Sequence, residues 1–393
     1  MYAEKYLQKV IEWRRDIHAH PELSQHEERT ANLVANILDG LGLEVSRNIG
    51  GFGVTGLLRG KNTGKTVGLR ADMDALPLTE ATGLAYASQT EGVMHACGHD
   101  THTAMLLGAA CVLSDMREKI NGNVKFIFQP AEEFNPIGGA PGMIRDGVLD
   151  NPNVDGLFAL HVWPVYETGK IVMRPGVLMG ASDRIFLTVH GQTAHGSRPD
   201  QGIDAIAAAA HIITGLQDII SRSVSPLDAA VITIGKIQGG YRYNVIPDFV
   251  NIEGTVRTVR AEVQDMVSKL IERTAKGIAE ALGASCDVKY VKGYPPLLND
   301  PELTELACGS VRKNLGDDAL IIADQPELGA EDFAFFALER PAVMAWLGCR
   351  PHDVDVKDMP KLHNTKFCPD EECFKYGIEF FTGCVMDFLN DRL

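Results

Sequence analysis

The chain has 393 residues, 45% hydrophobic and 23% charged, with a formal net charge of −15. That composition is ordinary for a globular protein, and the length favours two domains over a single core. The acidic balance excludes nucleic acid and anionic membrane surfaces as natural partners.

No segment approaches the roughly 20 uninterrupted apolar residues that span a bilayer. The opening MYAEKYLQKVIEWRRDIHAH is charged throughout and lacks the apolar stretch of a signal peptide. The eight cysteines (97, 111, 286, 308, 349, 368, 373 and 384) are scattered and include no CxxC pair. A reduced, cytoplasmic setting is therefore expected, without a zinc ribbon.

Residues 4–18 and 27–41 carry helical apolar spacing. Short β-branched runs follow at VTGLL (54–58), TVGLRA (66–71), VKFIFQ (124–129) and GLFALHV (156–162), with a helix predicted over 102–116. Strands separated by helices predict an α/β, doubly wound sheet. From residue 184 the order becomes strand (184–191), helix (204–222), strand (229–237), strand (249–259), helix (262–282) and strand (286–291). This is a ferredoxin-like βαββαβ order. Residues 302–315 and 341–348 then resume the earlier style. The expectation is one catalytic α/β domain built from residues 1–183 and 299–393, with a smaller lid domain inserted at 184–298.

The densest polar cluster is HACGHDTH (95–102), ahead of the predicted helix. Cys97 and His99 are two apart and could face the same way in an extended loop. A thiolate and an imidazole suit a borderline-soft divalent ion such as zinc, and a satisfied polar loop is the competing reading. QPAEEF (129–134) follows a buried strand and sets Glu132 and Glu133 where α/β sheets place ligands. One Glu could coordinate a metal while the other stays free as a base, although most such pairs are solvated surface. His161 ends the run GLFALHV, and His363 lies in the polar stretch KLHNTKF. Asp72 and Asp74 close the strand TVGLRA, where carboxylates can orient ligand imidazoles or cap a turn. GFGVTG (51–56) fits a dinucleotide-binding pattern but is followed by LLRGK, strand and turn, not a helix.

The segments RRDIHAHPELS (14–24), LRADMDALP (69–77), HACGHDTHTAMLLGAA (95–110), FQPAEE (128–133), LHVWP (160–164) and LHNTKF (362–367) occur in this order. With them the chain resembles the aminoacylase, hippurate hydrolase and indole-acetyl-amino-acid hydrolase branch of a large metallopeptidase family. That family also holds glutamate carboxypeptidases and succinyl-diaminopimelate desuccinylase. The resemblance implies Cys97, His99, Glu133, His161 and His363 as ligands of two divalent ions (zinc, manganese, cobalt or nickel), with Glu133 or Cys97 shared. It implies Glu132 as general base and Asp74 as the orienting aspartate, while Asp72 stands where the wider family has a ligand His. In GQTAHGSRPDQGIDA (191–205) it implies that His195 polarises the scissile carbonyl. In YNVIPDFVNIEGTVRT (243–258) it implies that Asn244 and Arg257 bind the substrate's carbonyl region and carboxylate. It implies further a homodimer through the lid.

The function these readings predict is hydrolysis of the amide bond of N-acyl amino acids. A dipeptidase or carboxypeptidase of the same fold, and a non-catalytic metal-binding homologue, are the competing expectations.

Overall fold

The apolar runs fold into strands buried on both faces. In the computed structural model, which describes residues 3–390, the chain divides into two compact units. The first takes the described residues within 1–178, 298–325 and 332–393, and the second takes 179–297 and 326–331.

The first unit begins with helices α1 (Leu7–Ala19) and α2 (Glu28–Gly40) and strands β1 (Glu44–Ile49), β2 (Gly53–Arg59) and β3 (Asn62–Asp72). Helix α3 (His99–Asp115), strand β4 (Asn121–Gln129), helix α4 (Ala140–Arg145) and strands β5 (Gly156–Glu167), β6 (Ile171–Met173) and β7 (Gly176–Met179) follow. β2 starts right after GF of the GFGVTG segment, so no helix opens there and no dinucleotide cradle forms.

In the second unit, β8 (Ala181–His190), α5 (Ala205–Asp218), β10 (Ala230–Gly239), β12 (Phe249–Thr258), α6 (Ala261–Ala281) and β13 (Ser285–Tyr294) follow the expected βαββαβ order. Two short strands, β9 (Ala194–His195) and β11 (Val245–Ile246), interrupt it. The sheet runs β10-β12-β8-β13, antiparallel throughout. Val263, Val267, Ile271, Ala275 and Ala279 make one buried stripe along α6, and Ala205, Ala208, Ala209, Ile212 and Leu216 make another along α5. These stripes close on Ile185, Leu187, Val250 and Ile252 of the sheet as a core of their own.

The chain then adds β14 (Leu297–Asn299), α7 (Pro301–Leu315), β15 (Leu320–Ile322), α8 (Phe333–Glu339), β16 (Ala342–Arg350) and α9 (Cys373–Asn390). The large sheet has the order β1-β2-β4-β3-β5-β16-β6-β15. Its centre, β4-β3-β5-β16, is parallel. β2 on one side and β6 on the other run antiparallel to it, and β1 pairs antiparallel with β2. Parallel strands read as continuous apolar runs because both faces are covered.

Helix α3 is buried from His99 to Leu113. A Cβ at Gly108 would lie 2.7 Å from Ile378 and Val10 side-chain carbons, so glycine lets α3 approach α9 and α1 closely. Among the described residues no helix is long and apolar enough to cross a membrane. The chain thus adopts the expected α/β class, with a mixed sheet and a smaller βαββαβ unit.

Candidate metal centre

The site grows from the point where the chain enters α3. Gly98 is the N-cap and is left-handed (φ 86°), and a Cβ there would sit 2.5 Å from Val162 Cγ2. Cys97 and His99 flank this turn, and His99 is already helical. Their common direction comes from a glycine turn, not from the extended loop the spacing suggested.

His99 turns Nδ1 to Asp74 Oδ1 at 3.2 Å, which leaves Nε2 buried without a hydrogen-bond partner among the described residues. His161 turns Nδ1 to the Val162 carbonyl oxygen at 2.8 Å. That carbonyl can only accept, so Nδ1 carries the proton and Nε2 presents its lone pair. His161 Nε2 lies 3.4 Å from Cys97 Sγ. His363, left-handed at φ 62° and tied by its N–H to the Ala96 carbonyl (2.8 Å), brings Nε2 within 3.3 Å of Cys97 Sγ and 3.0 Å of Glu133 Oε1. Cys97, His99 and His161 form one group with donor atoms within 4.8 Å of one another. Cys97, Glu133 and His363 form a second, and His99, Glu132 and Glu133 a third. The five expected ligands and Glu132 are thus brought together, with Cys97, His99 and Glu133 each common to two of these groups.

His161 departs from expectation in one respect. It lies inside β5, not at its end, because β16 pairs with β5 well beyond it (Trp346↔His161, then Leu347↔Val162). The ladder from β3 stops at Arg70↔Ala159. His161 therefore stands past the edge of one neighbour while still paired to the other.

Burial and the crowded carboxylates set the electrostatics of the site. Burial, then the carboxylates of Glu133, Glu132 and Asp72, push the Cys97 thiol well above its ordinary range. Burial alone would depress His99, but Asp72 and Asp74 outweigh it and raise it to about 10. Burial, helped by His102, pushes His161 well down. A sulfur, three imidazole nitrogens and two carboxylates converging around buried unpartnered atoms fit a divalent cation of borderline softness.

Asp72 is occupied otherwise. Its Oδ2 accepts from Arg70 Nη1 at 2.6 Å and its Oδ1 meets His102 Nδ1 at 2.6 Å. His102 Nε2 accepts the Val162 N–H (2.9 Å), so His102 is the Nδ1–H tautomer, donating to Asp72. Burial opposes ionisation of Asp72, yet His99, Arg70 and His102 hold it well below the usual carboxylate range. Asp74 accepts from Ser24 Oγ (2.6 Å) and from the backbone N–H groups of Glu132 (3.0 Å) and Glu133 (2.9 Å) as well as facing His99.

The remaining sequence-predicted residues belong to the second unit. The β9–β11 pair sets His195 opposite Val245, and Gly196 N–H donates to the Asn244 carbonyl at 2.9 Å. His195 is exposed, and its Nδ1 accepts the Ser197 N–H at 3.1 Å, so the neutral ring keeps its proton on Nε2. Asn244 Oδ1 is buried without a hydrogen-bond partner among the described residues. The Arg257 side chain on β12 has no hydrogen bond or ion pair among the described residues, and burial lowers its pKa. The Asp183 carboxylate that acts on it is already held by Gln264, Tyr290 and the Gly293 N–H.

Sequence reasoning missed the supports of the site. Arg70 links Gln129, Asp72 and Asp332, and Asp332 in turn accepts the N–H groups of Gly139 and Ala140. A charged Arg inside the apolar run TVGLRA was the available signal. Glu27, whose Oε1 accepts the Ala131 N–H at 2.7 Å, carried none, being one acid in a polar stretch.

The chain is similar to known proteins over most of its length. Residues 68–387 match the model of peptidase family M20/M25/M40. The chain is 46% identical over 294 residues to an N-acyl-L-amino acid amidohydrolase of Geobacillus stearothermophilus, covering 75% of this chain and 78% of that one. It is 40% identical over 370 residues to thermostable carboxypeptidase 1 of Saccharolobus solfataricus, with 94% and 92% covered. The crystal structure of the Bacillus subtilis YXEP protein, described as a dinuclear metal-binding peptidase of family M20, superposes with a TM-score of 0.85 at 34% identity, covering 98% and 99%. The chain belongs to peptidase family M20/M25/M40 and is a metal-dependent amidohydrolase.

Proposed function

We propose that the chain hydrolyses the amide bond of N-acyl amino acids, releasing a carboxylic acid and a free amino acid. The observation that carries this reading is the placing of Glu132 next to the group formed by Cys97, His99, Glu133, His161 and His363. These five residues would hold two divalent ions, with Cys97 or Glu133, each a member of two donor groups, as the candidate shared ligand. The donor set favours zinc and also accepts manganese, cobalt or nickel. When bound, such ions polarise the scissile carbonyl and make water acidic enough to ionise near neutral pH.

The protein's own groups supply the rest. Glu132 takes the proton of the attacking water and returns it to the leaving amine. Asp74 holds His99 and the backbone of both glutamates, so the base and the ligands share one anchor. His195 donates Nε2–H to the developing oxyanion, a role its tautomer supports. Arg257, half-buried and unpaired, receives the substrate's free carboxylate, and Asn244 contacts the carbonyl region. The second unit, near residues 184–298, acts as lid and homodimer contact of a cytoplasmic enzyme.

A dipeptidase or carboxypeptidase reading draws on the thermostable carboxypeptidase relative. The test is a panel of acetyl-, benzoyl- and indole-acetyl-amino acids against dipeptides, run on metal-reconstituted protein. Turnover of N-acyl amino acids ahead of dipeptides is expected. Faster cleavage of dipeptides would replace the proposal with the second reading, and bound metal without any turnover would leave a binding protein.

A further inference from the structure

The three successive backbone N–H groups of Ala131, Glu132 and Glu133 all donate to carboxylates. Ala131 N–H reaches Glu27 Oε1 at 2.7 Å, and the other two reach Asp74 at 3.0 and 2.9 Å. Ala131 is left-handed (φ 57°), a conformation that strains a residue with a Cβ and persists only where its surroundings hold it. Consecutive N–H groups beside such a residue form a concave anion cradle. Here two side chains of the protein fill the cradle.

Glu27 occupies the N-cap position of α2, yet its side chain makes no capping hydrogen bond to its own helix. It reaches across 104 residues of sequence to Ala131 and also accepts the Gln25 N–H at 3.0 Å. The residue is fully buried, its Oε2 has no hydrogen-bond partner among the described residues, and burial together with Asp74 raises it to about 7. A carboxyl serving only as a helix cap would face the N–H groups of α2 and stay wet. Burial beside a second carboxylate is unfavourable and needs a geometric return. Its hydrogen bond to the catalytic turn is the one accepted from the Ala131 N–H.

We infer that Glu27 is a positioning residue for Glu132, fixing the left-handed turn at Ala131 and so the direction in which the Glu132 carboxylate is presented. This rests on the reading of Glu132 as the general base. Misdirection of a catalytic group by about 1 Å lowers rates by up to about 100-fold.

The test uses the full-length, metal-loaded protein and the variants Glu27→Ala, Glu27→Asp and Glu27→Gln, alone and combined with Glu132→Gln. Glu27→Ala is expected to lower kcat by about 10- to 100-fold, with KM and metal stoichiometry unchanged within about twofold. Glu27→Asp falls one methylene short of Ala131 and is expected to behave alike, giving the same reading should the alanine variant not fold. Glu27→Gln keeps a carbonyl oxygen for the Ala131 N–H and is expected to recover most of kcat. In the Glu132→Gln background the Glu27→Ala effect should shrink to less than about twofold, because a unit that acts through Glu132 is non-additive with it. Unchanged kcat in both shortened variants, a Gln variant as impaired as Ala, or additive effects in the double variant would each overturn the inference while leaving the base reading intact. Near-normal turnover of Glu132→Gln itself would remove the base reading, and this inference with it.

Discussion

Asp74 meets His99 through Oδ1 and Nδ1 at 3.2 Å, and that contact decides which imidazole nitrogen is left to face the cluster. Carboxylates behind ligand histidines fix both tautomer and ring orientation, and their loss weakens metal binding by about 10- to 100-fold. Asp74→Asn should therefore lower metal affinity by that factor, read by competition with a chelator. Wild-type affinity in the variant would show that His99 is oriented by packing alone.

Cys97 Sγ lies within 3.4 Å of both His161 Nε2 and His363 Nε2, so one sulfur serves two donor groups. Cys97→Ser is expected to lower metal stoichiometry and to abolish the sulfur-to-metal charge-transfer band of cobalt-substituted protein. Persistence of that band would place the sulfur of another residue at the metal.

Arg257 tests the carboxylate preference. Hydrogen bonds to a charged partner contribute about 1.5–3 kcal/mol, or roughly 10- to 150-fold in KM. Arg257→Ala should raise KM by that factor for N-acyl amino acids, and hardly at all for the corresponding C-terminal amides. Equal effects on acids and amides would exclude Arg257 as the carboxylate receptor.

Glu27 gives a prediction on stability against pH. Its carboxyl rises from 4.5 to about 7 on folding, so between these values the folded state holds more protons than the unfolded state. Stability therefore falls as pH rises through that window. Glu27→Gln removes this loss and should gain on wild type between pH 4.5 and 7, by at most about 3 kcal/mol. Denaturant midpoints measured at both ends of the window check it, and a constant difference would mean that Glu27 stays ionised.

The elements legible in the sequence were those with a strong period or a long apolar run, such as α6 with its i, i+4 stripe and β4 with VKFIF. The strand β1, EVSRNI, was missed because its side chains are mostly exposed and carry no alternation. Helix α9 went unread because few polar residues mark its outer face, with Phe374, Phe380, Phe381 and Val385 all buried, and because Gly377 and Gly383 lower its helix propensity. At the site, Cys97 and His99 stood out by local crowding. His161 and His363 did not, since a single His in a strand or a polar loop is ordinary until the fold brings it to a sulfur 64 or 266 positions away. Asp72 was legible as a strand-end acid, but its engagement by Arg70 and His102 depends on tertiary neighbours that spacing does not encode.

The ligand group draws on residues 97, 99, 133, 161 and 363, supplied by a helix start, two loops and a strand. An ion held there acts as a removable cross-link that closes a loop of more than 260 residues, tying α9 and the segment before it to the centre of the sheet. Because such an ion binds the folded chain and finds no formed site on the unfolded one, its free concentration sets the melting temperature as well as the activity. Chelation should thus lower the melting temperature and open the region around residues 350–372 to proteolysis before the inserted βαββαβ unit, whose core contains none of these ligands, yields.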